Sequence, residues 1–182
     1  LHQIAARLRR KKLIVIGHSM GAMVATYWLG AYPEMADGLI LVEAVGPQPL
    51  SPADYPDRMR RWLSQTAPFD DKSFQRPMKN YAHAEPRRSR AYPNISAPMV
   101  ARMARFASRL QDDGSLNWKY DPLHRTHAPM PGLPSIASSF LANIACPALW
   151  VGGEQSPWLR AEVFEWLNQV AHMEQHILPD AG

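Results

Sequence analysis

The segment VIGHSMGAMV, residues 15–24, places Ser19 in the pattern Gly-x-Ser-x-Gly. A serine hydroxyl is a weak nucleophile unless a base accepts its proton and backbone donors bind the oxyanion. Here the pattern joins the apolar run KLIVIG to an apolar helical segment, a context that predicts a sharp strand-to-helix turn exposing the hydroxyl. Gly17 and Gly21 are expected where strand and helix approach too closely for side chains. The backbone N–H of Met20, at the helix N-terminus, is expected to bind the oxyanion.

Helices and strands must alternate around Ser19 to position it. Apolar residues at 1, 4, 5 and 8 predict one helix, and continuous apolar runs predict buried strands at 12–17 and 38–45. Residues 20–31 predict the helix between these strands, which Pro33 ends. After residue 134 the same alternation resumes, with a helix at 136–144, a strand at 147–152, a helix at 159–170 and a strand at 174–178. Short connections between such elements indicate an α/β fold with a parallel sheet.

The segment 47–134 interrupts this alternation. It holds 13 of the 17 prolines and no long apolar strand. Its apolar spacing predicts helices at 57–65 and 96–110, and the DDGS sequence at 112–115 predicts a turn. The sequence therefore predicts core segments at 1–46 and 135–182, with an insertion at 47–134 packed over the sheet.

Composition narrows the function classes. The net charge is +4, but the basic residues cluster at the end of the first predicted helix, so we expect a solvated surface and no nucleic acid. No window approaches 18 consecutive apolar residues, so no membrane span is expected. Cys146 is the single cysteine, which excludes an intrachain disulfide and favours a cytoplasmic location. His124 and His127, with Asp121 nearby, are too few ligands to predict a metal site, and no cofactor is implied.

The GHSMG motif with its flanks resembles the α/β-hydrolase fold, and the resemblance covers essentially the whole chain. It implies the C-terminal part of an α/β-hydrolase parallel sheet, with helices on both faces. In this resemblance the segment 47–134 is a helical cap that forms the roof of the substrate pocket. The first residue is Leu1 rather than methionine, and the sheet's first strands are missing, so we expect a fragment.

The catalytic acid has two candidate positions under this resemblance. Most members carry an aspartate after the strand that follows the cap, where VGGEQSPW places Ser156, with Glu154 two residues earlier. A second arrangement, found in some haloalkane dehalogenases, places the acid after the strand that follows the nucleophile helix, which here is Glu43 in LVEAVGP. We assign Glu43 as the acid, with Glu154 as the alternative. Ser19 in place of an aspartate makes dehalogenation itself unexpected.

The family's base is a histidine in the loop after the last strand. The chain ends LPDAG, so that histidine is expected just after Gly182. His176, in the last predicted strand, is the alternative base; the other histidines lie at positions 2, 18, 83, 124, 127 and 172. Without a base, the chain as given is expected to be nearly inactive.

The resemblance implies a serine hydrolase that cleaves an ester or related acyl bond through an acyl-enzyme. Hydrolysis of carbon–carbon bonds and acyl transfer use the same arrangement and stay open. Aromatic residues of the insertion favour a small apolar substrate: Trp62, Phe74, Trp118 and Tyr120. The alternative is a non-catalytic protein that only binds a ligand, which the missing aspartate at Ser156 favours. The sequence leaves the oligomeric state open.

Overall fold

The computed structural model of the chain describes residues 1–8, 10–47, 50–67, 77–126, 128–130 and 132–182. The α-helices in those ranges are α1 (His2–Leu8), α2 (Met20–Ala31), α3 (Tyr55–Thr66), α4 (Tyr81–Ala91), α5 (Ala97–Ala107), α6 (Pro134–Ala142) and α7 (Ala161–Leu167). The strands are β1 (Ile14–His18), β2 (Gly38–Val42), β3 (Ser108–Leu110), β4 (Leu116–Trp118), β5 (Ala148–Gly153) and β6 (Met173–Leu178). Short 3-10 helices occupy Pro33–Met35, Pro52–Asp54 and Pro122–Arg125.

Four strands form a parallel sheet in the order β1-β2-β5-β6. Their register aligns the carboxyl ends of the strands: His18 pairs with Val42, Val42 with Val151, and Val151 with His176. In open α/β sheets, ligands bind beyond the carboxyl ends of the strands. The residues that follow β1, β2 and β5 therefore lie at the edge of the sheet where a site is expected.

The main hydrophobic core covers one face of this sheet. Leu41 of β2 and Trp150 of β5 are paired neighbours and are at most 1% exposed. Leu29 of α2, Leu141 of α6 and Leu167 of α7 are fully buried in the same cluster. Because strand side chains alternate between faces, the other residues of each strand point away from this core. On β1 these include Ile14 and Ile16, which are 53% and 68% exposed.

The described residues divide into two compact units, one formed by residues 1–50 with 131–182 and the other by residues 51–130. Among its described residues, the second unit contains three α-helices, two 3-10 helices and the antiparallel hairpin of β3 and β4. It has a small core of its own, to which Met78, Ala84, Ala104 and Leu116 contribute. The role of this segment as a cap stays a prediction.

Three details of the second unit and its borders differ from the sequence prediction. The predicted helix at 96–110 ends at Ala107, and residues 108–110 instead form β3, which pairs across the predicted turn with β4. Helix α4, which contains Pro86, was not among the helices predicted from the sequence. The predicted strand at 38–45 ends at Val42, since Glu43 has a positive φ of 69° that leaves the extended region.

Candidate active site

Ser19 occupies the turn between β1 and α2, where the sequence predicted it. Its backbone has φ 53° and ψ −122°, a combination that costs free energy in a residue other than glycine. Two hydrogen bonds fix the turn: the N–H of Ser19 donates to the Val42 carbonyl at 3.0 Å, and its carbonyl accepts from the Ala22 N–H at 2.9 Å. The hydroxyl makes no capping bond to the helix, and the residue is exposed. The hydroxyl is therefore presented to solvent from a strained, well-anchored backbone.

Met20 is the first residue of α2. The first N–H groups of a helix have no partner within the helix and carry the positive end of its dipole. The N–H of Met20 therefore directly follows Ser19 in the chain, at a terminus suited to an anion.

The two glycines of the motif differ in their surroundings. A Cβ built on Gly17 would lie 2.6 Å from the carbonyl oxygen of Gly21 and 2.7 Å from Cα of Ala22, so a side chain is excluded where β1 meets α2. A Cβ built on Gly21 would meet nothing within 4 Å in the described structure. The prediction that both glycines prevent a collision is therefore confirmed for Gly17 and wrong for Gly21. The backbone of the first turn of α2 contacts β1 at Gly17, whereas Gly21 faces open space.

Glu43 follows β2 as Ser19 follows β1. Its N–H donates to the Val151 carbonyl at 2.9 Å, and its φ of 69° turns the chain sharply out of the sheet. Neighbouring strands lie about 4.8 Å apart, and His18 pairs with Val42, so Ser19 and Glu43 leave adjacent strands at the same level. The structure thus brings the predicted nucleophile and the predicted acid to the same edge of the sheet.

Each oxygen of the Glu43 carboxylate accepts one hydrogen bond. The N–H of Gly153 donates to Oε1 at 2.9 Å, and the Ser156 hydroxyl donates to Oε2. The Ser156 oxygen in turn accepts the N–H of Trp158 at 3.2 Å. Ser156 is only 8% exposed. Sequence reasoning noted the position of Ser156 but missed this contact.

Glu154, the alternative acid, points elsewhere. Its side chain is exposed, and its Oε2 accepts the N–H of Asp180 at 3.2 Å in the turn that follows β6. Its backbone N–H donates to the Leu178 carbonyl at 3.0 Å. Glu154 therefore holds the turn after β6, whereas Glu43 lies beside the strand that leads to Ser19.

His176, the alternative base, is not brought to Ser19. It is exposed in β6, and the register places it three strand spacings from His18 in β1, or about 14 Å. A general base must come within hydrogen-bond reach of the proton that it accepts. His176 therefore lies too far across the sheet from Ser19 to accept the proton of its hydroxyl.

The residues after β6 lie close to the Glu43 site. The N–H of Gln155 donates to the Ala181 carbonyl at 2.7 Å. A Cβ built on Gly153 would lie 2.4 Å from that same carbonyl oxygen, and the Gly153 N–H is the one that binds Glu43. The carboxyl-terminal end of β6 is thereby tied to the loop that holds the carboxylate.

Possible metal ligands are dispersed. Within the described ranges no three His, Cys, Asp or Glu side chains are grouped closely enough to hold a metal ion, and His127 lies outside those ranges. Phe74, one of the aromatic residues of the insertion, also lies outside them.

No described helix combines the length and the apolar character that a membrane crossing requires.

A parallel sheet with a serine in a sharp turn between a strand and a helix is typical of the α/β-hydrolase fold. The sequence profile of the alpha/beta hydrolase family matches residues 1–182, and the chain belongs to that family.

Individual proteins match most of the length of this chain, but each match covers only part of the other protein. A serine hydrolase-like protein from Danio rerio is 28% identical over 116 residues, which is 63% of this chain and 36% of that protein. A hypothetical protein from Pseudomonas aeruginosa PAO1 matches with a TM-score of 0.77 and 23% identity, over 97% of this chain and 62% of its own.

Two further solved structures share the fold. The thioesterase domain from the curacin biosynthetic pathway has a TM-score of 0.76 and 24% identity, over 98% of this chain and 63% of its own. An esterase from M. tuberculosis has a TM-score of 0.72 and 19% identity, over 100% of this chain and 60% of its own. The chain therefore spans about 60% of the solved structures and 36% of the zebrafish protein.

Proposed function

We propose that the complete protein is a serine hydrolase that cleaves an ester or related acyl bond through an acyl-enzyme. Ser19 is the nucleophile, Glu43 is the acid that orients the base, and the N–H of Met20 binds the oxyanion. The observation that carries the proposal is that Ser19 and Glu43, both at positive φ, end adjacent parallel strands. Strained backbone of this kind is concentrated at active sites, where the surrounding structure compensates for its free-energy cost.

The base in this proposal is an imidazole from the residue that follows Gly182. The turn after β6 lies against Gln155 and Gly153, and Gly153 donates directly to the Glu43 carboxylate. A residue attached to Gly182 therefore starts near the carboxylate that would orient it. An orienting carboxylate fixes the tautomer of the imidazole and stabilises the imidazolium that forms during the reaction.

The steps follow from these positions. The Ser19 oxygen attacks the carbonyl carbon of the ester while its proton passes to the imidazole, and the carbonyl oxygen becomes an oxyanion held by Met20 N–H. The intermediate then collapses, the imidazolium protonates the departing alcohol, and the acyl group stays on Ser19. A water molecule, deprotonated by the same imidazole, attacks the acyl-enzyme. The imidazolium then returns that proton to the Ser19 oxygen as the bond to the acyl group breaks and the acid leaves.

The proposed substrate is small and apolar. The second unit contains Trp62, Trp118 and Tyr120, each partly buried, and the last two rings stack with centroids 6.1 Å apart. The esterase and the thioesterase domain among the structural neighbours act on acyl bonds, which favours an acyl substrate over a carbon–carbon bond. Acyl transfer would use the same acyl-enzyme with another acceptor in place of water.

The experiment uses the complete protein with a fluorophosphonate probe and with p-nitrophenyl acetate and butyrate. Wild type should be labelled and should turn over, whereas Ser19→Ala should do neither. If wild type is neither labelled nor active, the result would instead favour a protein that only binds a ligand.

A matched pair of variants tests the acid. Glu43→Gln should lower kcat by about 10⁴-fold, as expected when the group that orients a catalytic imidazole is neutralised. Glu154→Gln removes the same charge from a carboxylate that holds only the Asp180 N–H, and should keep kcat within a few-fold. Equal losses in the two variants would contradict the assignment of Glu43.

A further inference from the structure

Ser156 is a nearly buried hydroxyl with two defined partners. Its oxygen accepts the Trp158 N–H at 3.2 Å, and its proton is donated to Oε2 of Glu43, 113 residues away in sequence. The backbone of Ser156 is fixed as well, because its N–H donates to the Gly153 carbonyl at 3.1 Å. The hydroxyl therefore sits on a closed turn and is aimed at the carboxylate.

We propose that Ser156 is a positioning residue that holds the Glu43 carboxylate for the base. This inference rests on the proposed function and extends it to a residue outside the nucleophile, acid and base. The carboxylate has a donor on each oxygen, Gly153 N–H on one and the Ser156 hydroxyl on the other. Two donors on opposite oxygens fix the plane of the carboxylate, whereas a single donor would leave it free to rotate.

The direction of the hydrogen bond follows from the chemistry of the partners. A backbone N–H can only donate, so Trp158 occupies an acceptor site on the Ser156 oxygen. An ionised carboxylate can only accept, so the hydroxyl proton points to Glu43. Each carboxylate oxygen has about two acceptor sites, so one on each oxygen is left for an imidazole N–H.

A purely structural role for Ser156 predicts a different result. Serine often accepts an N–H two residues later and thereby shapes a turn, and the Trp158 contact fits that pattern. In that case the loss of the hydroxyl would loosen the turn and act independently of Glu43. The two roles are separated by whether the effect of Ser156 on turnover depends on the Glu43 carboxylate.

The test is a double-mutant cycle in the complete protein with p-nitrophenyl butyrate as substrate. The variants are Ser156→Ala, Glu43→Gln and the double variant, with Ser19→Ala as the background control. A hydrogen bond to a charged group contributes enough for its loss to lower kcat by about 10- to 100-fold. We expect that loss for Ser156→Ala with KM unchanged within about two-fold, and no further loss when Glu43 is already Gln.

Thermal unfolding of wild type, Ser156→Ala, Glu43→Gln and the double variant gives a readout that does not depend on activity. The hydrogen bond predicts that Ser156→Ala lowers Tm more when Glu43 is present than in the Glu43→Gln background. If that coupling is found but Ser156→Ala lowers kcat equally in both backgrounds, the contact is structural only and the positioning role is wrong.

The remaining outcomes separate this inference from the proposed function. If turnover requires Ser19 but Ser156→Ala leaves kcat unchanged, the proposed function stands and the positioning role is overturned. If wild type shows no Ser19-dependent turnover, the proposed function fails, and a positioning role in catalysis fails with it.

Discussion

Gly17→Ala should damage both the stability and the activity of the complete protein. The added Cβ would lie 2.6 Å from the Gly21 carbonyl oxygen and 2.7 Å from Cα of Ala22, where ordinary contacts begin at 3.4 Å. All these atoms belong to the backbone of the first turn of α2, so no side-chain rotation can relieve the overlap. The strand and the helix must instead separate by about 0.8 Å.

The expected magnitudes follow from that displacement. Overpacking of this kind lowers the free energy of unfolding by about 1–3 kcal/mol. Ser19 and Met20 lie in the turn between the two colliding segments, so the displacement falls on the proposed nucleophile and on the proposed oxyanion donor. A misplacement of about 1 Å can cost about 10²-fold in rate, and we expect a loss of that order in the rate of fluorophosphonate labelling.

Gly21→Ala is the matched control in the same motif. Its Cβ would meet nothing within 4 Å in the described structure, and Gly21 is the second residue of α2. Alanine is favoured over glycine in a helix by up to about 1 kcal/mol, so this variant should be at least as stable as wild type. Urea unfolding monitored by tryptophan fluorescence compares the variants. The steric argument would be refuted if the free energy of unfolding of Gly17→Ala were within about 0.5 kcal/mol of wild type, which is the size of a neutral surface change. It would also be refuted if Gly21→Ala were destabilised as much as Gly17→Ala.

Three further predictions concern single sites. In the Glu43→Gln protein, adding Ser156→Asp should restore part of kcat, because the Ser156 side chain already contacts the carboxylate of residue 43. Ser156→Asp alone should destabilise the protein, because it places two carboxylates together. No gain of kcat in the double variant over Glu43→Gln would contradict the predicted rescue. Glu43→Gly should be more stable to urea than Glu43→Ala by about 1 kcal/mol, because only glycine adopts φ 69° without cost; the reverse order would show that the backbone is unstrained. Cys146 is 7% exposed, and burial raises the pKa of its thiol. Its reaction with a disulfide reagent at pH 8 should therefore be slow until urea unfolds the protein, with Cys146→Ala as the control.

The sheet around Ser19 was predictable from sequence because its signals are local. Apolar runs predicted β1, β2 and β5, β6 agrees with the strand expected at 174–178, and the bounds of α2 agree with the predicted helix 20–31. The end of β2 was not predictable in this way. Ala44 and Val45 continue the apolar run, and only the positive φ of Glu43 shows that the strand has already ended.

The second unit was less predictable because its elements depend on partners distant in sequence. Residues 108–110 continue the helical spacing of α5, yet they pair with β4 across the turn at 112–115. The Ser108 hydroxyl donates to the Ala104 carbonyl at 2.7 Å, where the helix gives way to the strand. Helix α4 contains Pro86, and its N-terminus is capped, since the Asn80 side chain accepts the His83 N–H at 3.2 Å.

The same dependence on distant partners changes what Ser156 implies. From sequence alone, a serine where related proteins carry an aspartate favours a protein without a catalytic acid. In the structure the Ser156 hydroxyl donates to the carboxylate of Glu43. A carboxylate at both positions would place two negative charges in contact, which disfavours ionisation of one of them. A hydrogen-bond donor at position 156 therefore suits the proposed acid at Glu43 better than a second carboxylate would. The serine at this position agrees with the proposed role of Glu43.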